Sequence, residues 1–126
     1  MTQASVRYIV EDADAAVAFY RDRLGFEVVR RPGPGFAILT HGPLRLLLSE
    51  PRGLGGAAQP MADGRLPEPG GWNRIQVEVA DLEREVAALE RAGVRLRNEI
   101  TRGRGGAQVL VDDPSGNPVE LFEPRA

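Results

Sequence analysis

The sequence contains no cysteine, no lysine and only one histidine, His41. The absence of cysteine removes disulfides, thiolate nucleophiles and thiolate metal ligands together. All sixteen basic residues are arginines, so no lysine is present to form a Schiff base. A lone histidine excludes any metal site that takes two imidazoles from one chain. No apolar run approaches the roughly 20 residues of a membrane-spanning helix, and the N-terminal MTQASVRYIV lacks the layout of a secretory signal, so a cytoplasmic location is expected. The formal charge is only −2 and the arginines are scattered, which argues against nucleic acid or a membrane surface as partner.

What remains fits one compact domain, residues 1–126, with 42% hydrophobic content to build a core. An internal repeat is visible when VEDADAAVAFYRDRLGFEV is set against VADLEREVAALERAGVRL. Each segment has a strand ending in Val, an Asp suited to capping a helix (Asp12, Asp81), about twelve helical residues, then Gly25 or Gly93 and a new strand. Val17, Tyr20 and Leu24 mark the apolar stripe of the first helix, and Leu82, Val86 and Leu89 that of the second. Downstream, GFAILTHGPLRLLLSEP and GAQVLVDDPSGNPVELFEP each spell two strands joined by a turn, with Pro51 opposite Pro124. The chain is therefore α+β, two tandem βαβββ units: unit one over 4–51, a Gly/Pro-rich loop over 52–71 with no regular structure expected, and unit two over 72–124.

In WNRIQVEVADL, Ile75, Val77 and Val79 alternate with Arg74, Gln76 and Glu78, the period of a strand with one apolar and one polar face. A doubled βαβββ unit with DADAAVAFYRDRLGFEV early and DDPSGNPVELFEP at the end resembles the vicinal oxygen chelate superfamily. That group includes glyoxalase I, extradiol dioxygenases, fosfomycin-resistance enzymes and bleomycin-resistance binding proteins. The resemblance implies that each sheet curls into a half-barrel with its helix outside, that two half-barrels enclose a cleft, and that chains pair as homodimers. Arg74, Gln76 and Glu78 would then face the cleft, as would Ser5, Arg7 and Ile9, with Val6, Tyr8 and Val10 under the first helix.

Metal-dependent members of that superfamily carry ligands at positions that fall here on Ser5, Leu47, Arg74 and Glu120. Only Glu120 is a good donor for a divalent ion: leucine has none, serine is poor, and arginine repels a cation. No metal or other cofactor is expected. Arg74 and Glu120 would instead pair in a bidentate fork. The expected ligand site combines Arg7, Arg74, Gln76 and Glu120 as polar groups with Phe36, Leu47, Met61 and Phe122 as walls; Trp72 either joins those walls or packs in a core. His41, Arg102 and Arg104 are expected at solvated turns, and Asp112 and Asp113 belong to a turn sequence and not to a metal pair.

Two functions remain in competition, with a third behind them. A metal-independent binding protein would sequester a bulky aromatic or peptide-like natural product or antibiotic. An enzyme of the same superfamily would be either glyoxalase-like with a metal, or a metal-free isomerase or lyase using Glu120 as base. An accessory module would use the long loop to bind a partner protein.

Overall fold

A computed structural model describes residues 3–125. The chain divides into two compact units, the first running through Gly70 and the second beginning at Gly71. The first contains β1 (Ser5–Ile9), α1 (Ala13–Leu24), β2 (Glu27–Gly33), β3 (Phe36–His41) and β4 (Leu44–Ser49). The second contains β5 (Ile75–Glu78), α2 (Leu82–Arg91), β6 (Thr101–Arg102), β7 (Gly106–Asp112) and β8 (Pro118–Pro124). Each is one four-stranded sheet, ordered β1-β4-β3-β2 and β5-β8-β7-β6, with the first and last strands parallel and the other pairs antiparallel. The repeat legible in the sequence is thus a repeat of topology.

Both helices start where the sequence places their caps. Asp12 accepts from the backbone N–H groups of Asp14 and Ala15, and Asp81 from that of Arg84. A second device, also repeated, was not anticipated. Glu50 accepts from the N–H of Ala13 at 2.7 Å, and Glu123 from that of Leu82 at 2.8 Å. Each carboxylate sits at the end of its unit's last strand, just before Pro51 or Pro124, and ties that strand to the positive end of the helix. Such a contact contributes on the order of 0.5–2 kcal/mol. At the other end Gly25 adopts φ 76° as the cap of α1, and Gly93 adopts φ 78° one residue past the end of α2. Only glycine enters that region without steric cost.

The helix α1 buries Val17 and Tyr20 as expected, and Ala13, Ala16 and Phe19 widen the stripe while Leu24 stays half-buried at the end. Beneath it lie Tyr8, Ala37, Leu39, Leu46 and Leu48, all buried. Val10 is buried too, but Val6 remains 36% exposed on the edge strand. In the second unit Leu82 and Leu89 are buried with Ile75, Val77, Val109, Val111, Val119 and Leu121; Val79 and Val86 are half-buried.

Two expectations need correction. The segment 52–71 contains one 3₁₀ turn, Gly56–Ala58, with Ala58 fully buried. The turn closes because Arg52 N–H donates to Ala58 O and the Gln59 amide donates to the carbonyls of Gly53 and Gly55, supplying locally the hydrogen bonds a strand or helix would otherwise provide. The strand after α2, matching β2, shrinks to two residues plus a bridge between Leu96 and Val111. There the Asn98 side chain, in place of a backbone carbonyl, accepts from Leu110 N–H at 2.9 Å, so the ladder is broken beyond Arg97. Among the described residues no helix is long and apolar enough to cross a membrane.

Candidate functional site

Register decides which side chains share the face of the second sheet opposite α2. Gln76 lies beside Glu120, Glu78 beside Phe122, and β7 brings Leu110, Gln108 and Asp112 against Glu120, Phe122 and Pro118. Because directly paired residues point to the same side, these form one surface. Glu120 is its buried centre, 8% exposed. Arg74 donates to Glu120 Oε1 from Nε at 3.1 Å and from Nη2 at 2.9 Å, and the Gln76 amide donates to Oε2. The expected Arg74–Glu120 pair is present, but both guanidinium nitrogens converge on one oxygen instead of forking across two, because Gln76 holds the other. Arg74 Nη1 also reaches the carbonyl of Trp72 at 3.3 Å. Phe122 is half-buried one step along the strand from Glu120.

Trp72 is 70% exposed, which removes the core-packing reading of this residue. Its ring carries the guanidinium of Arg97 at 5.0 Å from the centroid. Arg97 donates to Asp112 Oδ1 at 2.6 Å and to the carbonyls of Gly71 and Gly116. Asp112 is therefore more than a turn residue; it anchors a part-buried ion pair, with Arg95 at 3.9 Å from its other oxygen. Sequence reasoning missed Arg97. The available signal was the alternation in VRLRNE, which puts Arg95 and Arg97 on one side of an extended segment. Asp113 keeps its turn role, accepting from the N–H groups of Ser115 and Asn117.

In the first sheet the corresponding face carries Ser5, Arg7 and Ile9 beside Arg45, Leu47 and Ser49, which lie in turn beside Thr40, Ile38 and Phe36. Arg7 Nη1 donates to the fully buried Ser49 hydroxyl at 2.7 Å, and its guanidinium lies 5.7 Å from the Phe36 centroid. Arg7, Phe36 and Leu47 are thus neighbours on one surface. Met61 is not among them. It is 49% exposed in a turn closed by bonds from Met61 N–H to Arg65 O and from Gly64 N–H to Met61 O. His41 is half-buried against Phe26, with ring centroids 5.0 Å apart, and Arg102 forms a surface pair with Glu83. An open cavity of about 740 Å³ lies at the far end of the second sheet, between Glu78, Arg102, Glu123 and Arg125, and none of the residues of the expected ligand site lines it.

The donor chemistry does not fit a divalent metal. In the first unit the two positions offer the Ser5 hydroxyl and the hydrocarbon of Leu47. In the second they offer a guanidinium and a carboxylate whose two oxygens already accept three hydrogen bonds. A cation there would have to displace Arg74 from Glu120 and remain beside its charge. Among the described residues no group of three or more His, Cys, Asp or Glu side chains is placed to hold a metal ion.

The model of the Glyoxalase/Bleomycin resistance protein/Dioxygenase superfamily matches residues 2–121. Among solved structures, lactoylglutathione lyase from Agrobacterium tumefaciens superposes with a TM-score of 0.71 at 25% identity, covering 98% of this chain and 94% of that one. A superfamily member from Sphaerobacter thermophilus gives 0.74 at 26% identity, covering 98% of each chain. TnmS3, an antibiotic binding protein from Streptomyces sp. CB03234, gives 0.73 at 20% identity, covering 99% of this chain and 98% of that one, a likeness of fold. None of the curated proteins matches the chain.

Proposed function

This chain belongs to the glyoxalase/bleomycin resistance protein/dioxygenase superfamily, and on that premise we propose that it binds a bulky planar aromatic natural product, of the antibiotic kind, without a metal and without converting it. The observation that carries this reading is the engagement of Glu120. Its two oxygens, with about four lone-pair sites, already accept three hydrogen bonds, so a cation or a substrate proton would compete with Arg74 and Gln76 for the carboxylate. Each sheet, taken by itself, offers the mixture a small-molecule site needs: the second has oriented donors on Arg74 and Gln76, an acceptor on Glu120 and the apolar faces of Trp72 and Phe122, and the first has a donor on Arg7 beside the apolar faces of Phe36 and Leu47.

Elemental analysis of protein purified without chelator should find no stoichiometric zinc, nickel or iron. Titration with aromatic antibiotics should give a saturable change in the fluorescence of the single tryptophan, and mass spectrometry should recover the ligand unchanged. One metal ion per chain would overturn the metal-free reading. A converted product that disappears in Glu120→Gln would replace sequestration with metal-free catalysis.

We further propose a homodimer. The edge strands are β1 and β2 in one sheet and β5 and β6 in the other, and β2 leaves Val28 and Val29 exposed, the kind of edge that pairing with a second copy covers. Light scattering after gel filtration at micromolar concentration should report twice the 13.7 kDa chain mass. A monomer mass would remove the dimer from the proposal.

A further inference from the structure

Trp72 combines two properties that rarely coincide: a large apolar ring left 70% exposed and a rigid support behind it. The support is Arg97. Its side chain is only 19% exposed, and every nitrogen of its guanidinium has an acceptor: Nε on Asp112 at 2.6 Å, Nη1 on the carbonyl of Gly71 at 2.8 Å and Nη2 on that of Gly116 at 2.9 Å. Gly116 lies in a turn whose backbone N–H groups at Ser115 and Asn117 both donate to Asp113, so this anchor is itself fixed. The guanidinium carbon stands 5.0 Å from the indole centroid, a cation–π contact on one face.

We infer that Trp72 is a preformed stacking platform and that Arg97 behind it restricts the ligand to neutral or anionic planar aromatic molecules. The face of an indole carries negative quadrupole, which attracts a cation. Here one face already has a cation, and a ligand stacked on the other feels that charge through the ring. A cationic ligand is repelled, whereas a phenolate, a carboxylate-bearing ring or an uncharged polycycle is not. Asp112 offsets part of the charge, but Arg95 lies 3.9 Å from its second oxygen, so the Arg95–Asp112–Arg97 group retains a net positive charge. Arg74, which touches the Trp72 carbonyl, is paired with Glu120 and leaves that balance unchanged. Fixing the platform before the ligand arrives also reduces the ordering cost of binding. This inference rests on the reading that the second unit binds an aromatic ligand, and goes beyond it in naming the charge class and the residue that sets it. Arg97 is a positioning residue: it acts on the ligand through Trp72.

The test is calorimetric titration at low salt with naphthalene-2-sulfonate and N-methylquinolinium, two flat bicyclic probes of opposite charge. The wild-type protein should bind the sulfonate about tenfold more tightly or better. Trp72→Leu should lose both, and Arg97→Gln, which can still donate to Asp112, should bring the two affinities within about threefold. Arg97→Lys should keep the preference with weaker binding, separating charge from packing; melting curves establish that each variant is folded. Equal wild-type affinities, no binding of the sulfonate, or a preference unchanged in Arg97→Gln would each overturn the inference. Its failure is distinct from failure of the proposed function. If antibiotic binding depends on Arg74 but the probes are not discriminated, the platform alone fails. If the probes are discriminated but no antibiotic binds through Arg74, the platform stands and the proposed function fails.

Discussion

Arg74→Ala should weaken binding of an aromatic ligand by about tenfold to a hundredfold, the loss of a charge-assisted contact of roughly 1.5–3 kcal/mol. The residue is placed for such a contact. Its Nε and Nη2 are directed to Glu120, its Nη1 makes only a long bond to Trp72 O, and its side chain is 30% exposed. Removing it also leaves Glu120, 8% exposed, with Gln76 as its remaining side-chain donor. Stability should therefore fall, by about 1–3 kcal/mol, toward the low end because the pair is not fully dry. The two effects can be separated. In Arg74→Ala/Glu120→Gln the carboxylate charge is gone, so stability should recover while affinity stays low. Calorimetric titration and urea unfolding of the single and double variants measure both. Wild-type affinity in Arg74→Ala would mean that the guanidinium serves only to neutralise Glu120.

Tyr20→Ala should destabilise the first unit by about 3–5 kcal/mol, the usual cost of deleting a buried aromatic. Tyr20 is fully buried on α1 and meets Phe19 and Phe26 edge-to-face, with centroids 5.1 and 5.3 Å away. Each such pair adds about 0.5–1.5 kcal/mol beyond area burial, so the cavity removes two aromatic contacts at once. Against a total stability of roughly 5–15 kcal/mol, this is enough to lower the urea midpoint far below that of the wild type. Trp72→Ala, which removes a larger but exposed ring, provides the contrast and should cost less than about 1 kcal/mol. A Tyr20→Ala midpoint close to wild type would mean that α1 repacks over Phe19 and Phe26.

Much of the fold was legible in the chain itself because its signals are local. Asp12 and Asp81 cap helices by bonding to backbone two or three residues on; Gly25 and Gly93 end them because a single residue must take positive φ. The alternation through Ile75, Val77 and Val79 marks a strand whatever it pairs with. These follow from geometry within one turn or one pleat, and the repetition of the pattern supplied the doubled topology. The expected pairing of Arg74 with Glu120 came from family resemblance and not from local pattern, and its fork geometry was wrong because Gln76 competes for the same carboxylate.

The sequence alone thus determined the two helices, the main strands and their order, and the apolar and polar faces of those strands. Only the tertiary structure decided which side chains meet. Glu50 reaching Ala13, Arg7 reaching Ser49 and Arg97 spanning Gly71, Asp112 and Gly116 all join residues separated by 15 to 42 positions. Such meetings depend on strand register, where a slip of one residue sends every side chain to the opposite face, and register is set by the packing of the whole sheet against its helix. Trp72, equally suited by composition to a core or a surface, lies on the surface with Arg97 against its ring, which only the tertiary structure reveals.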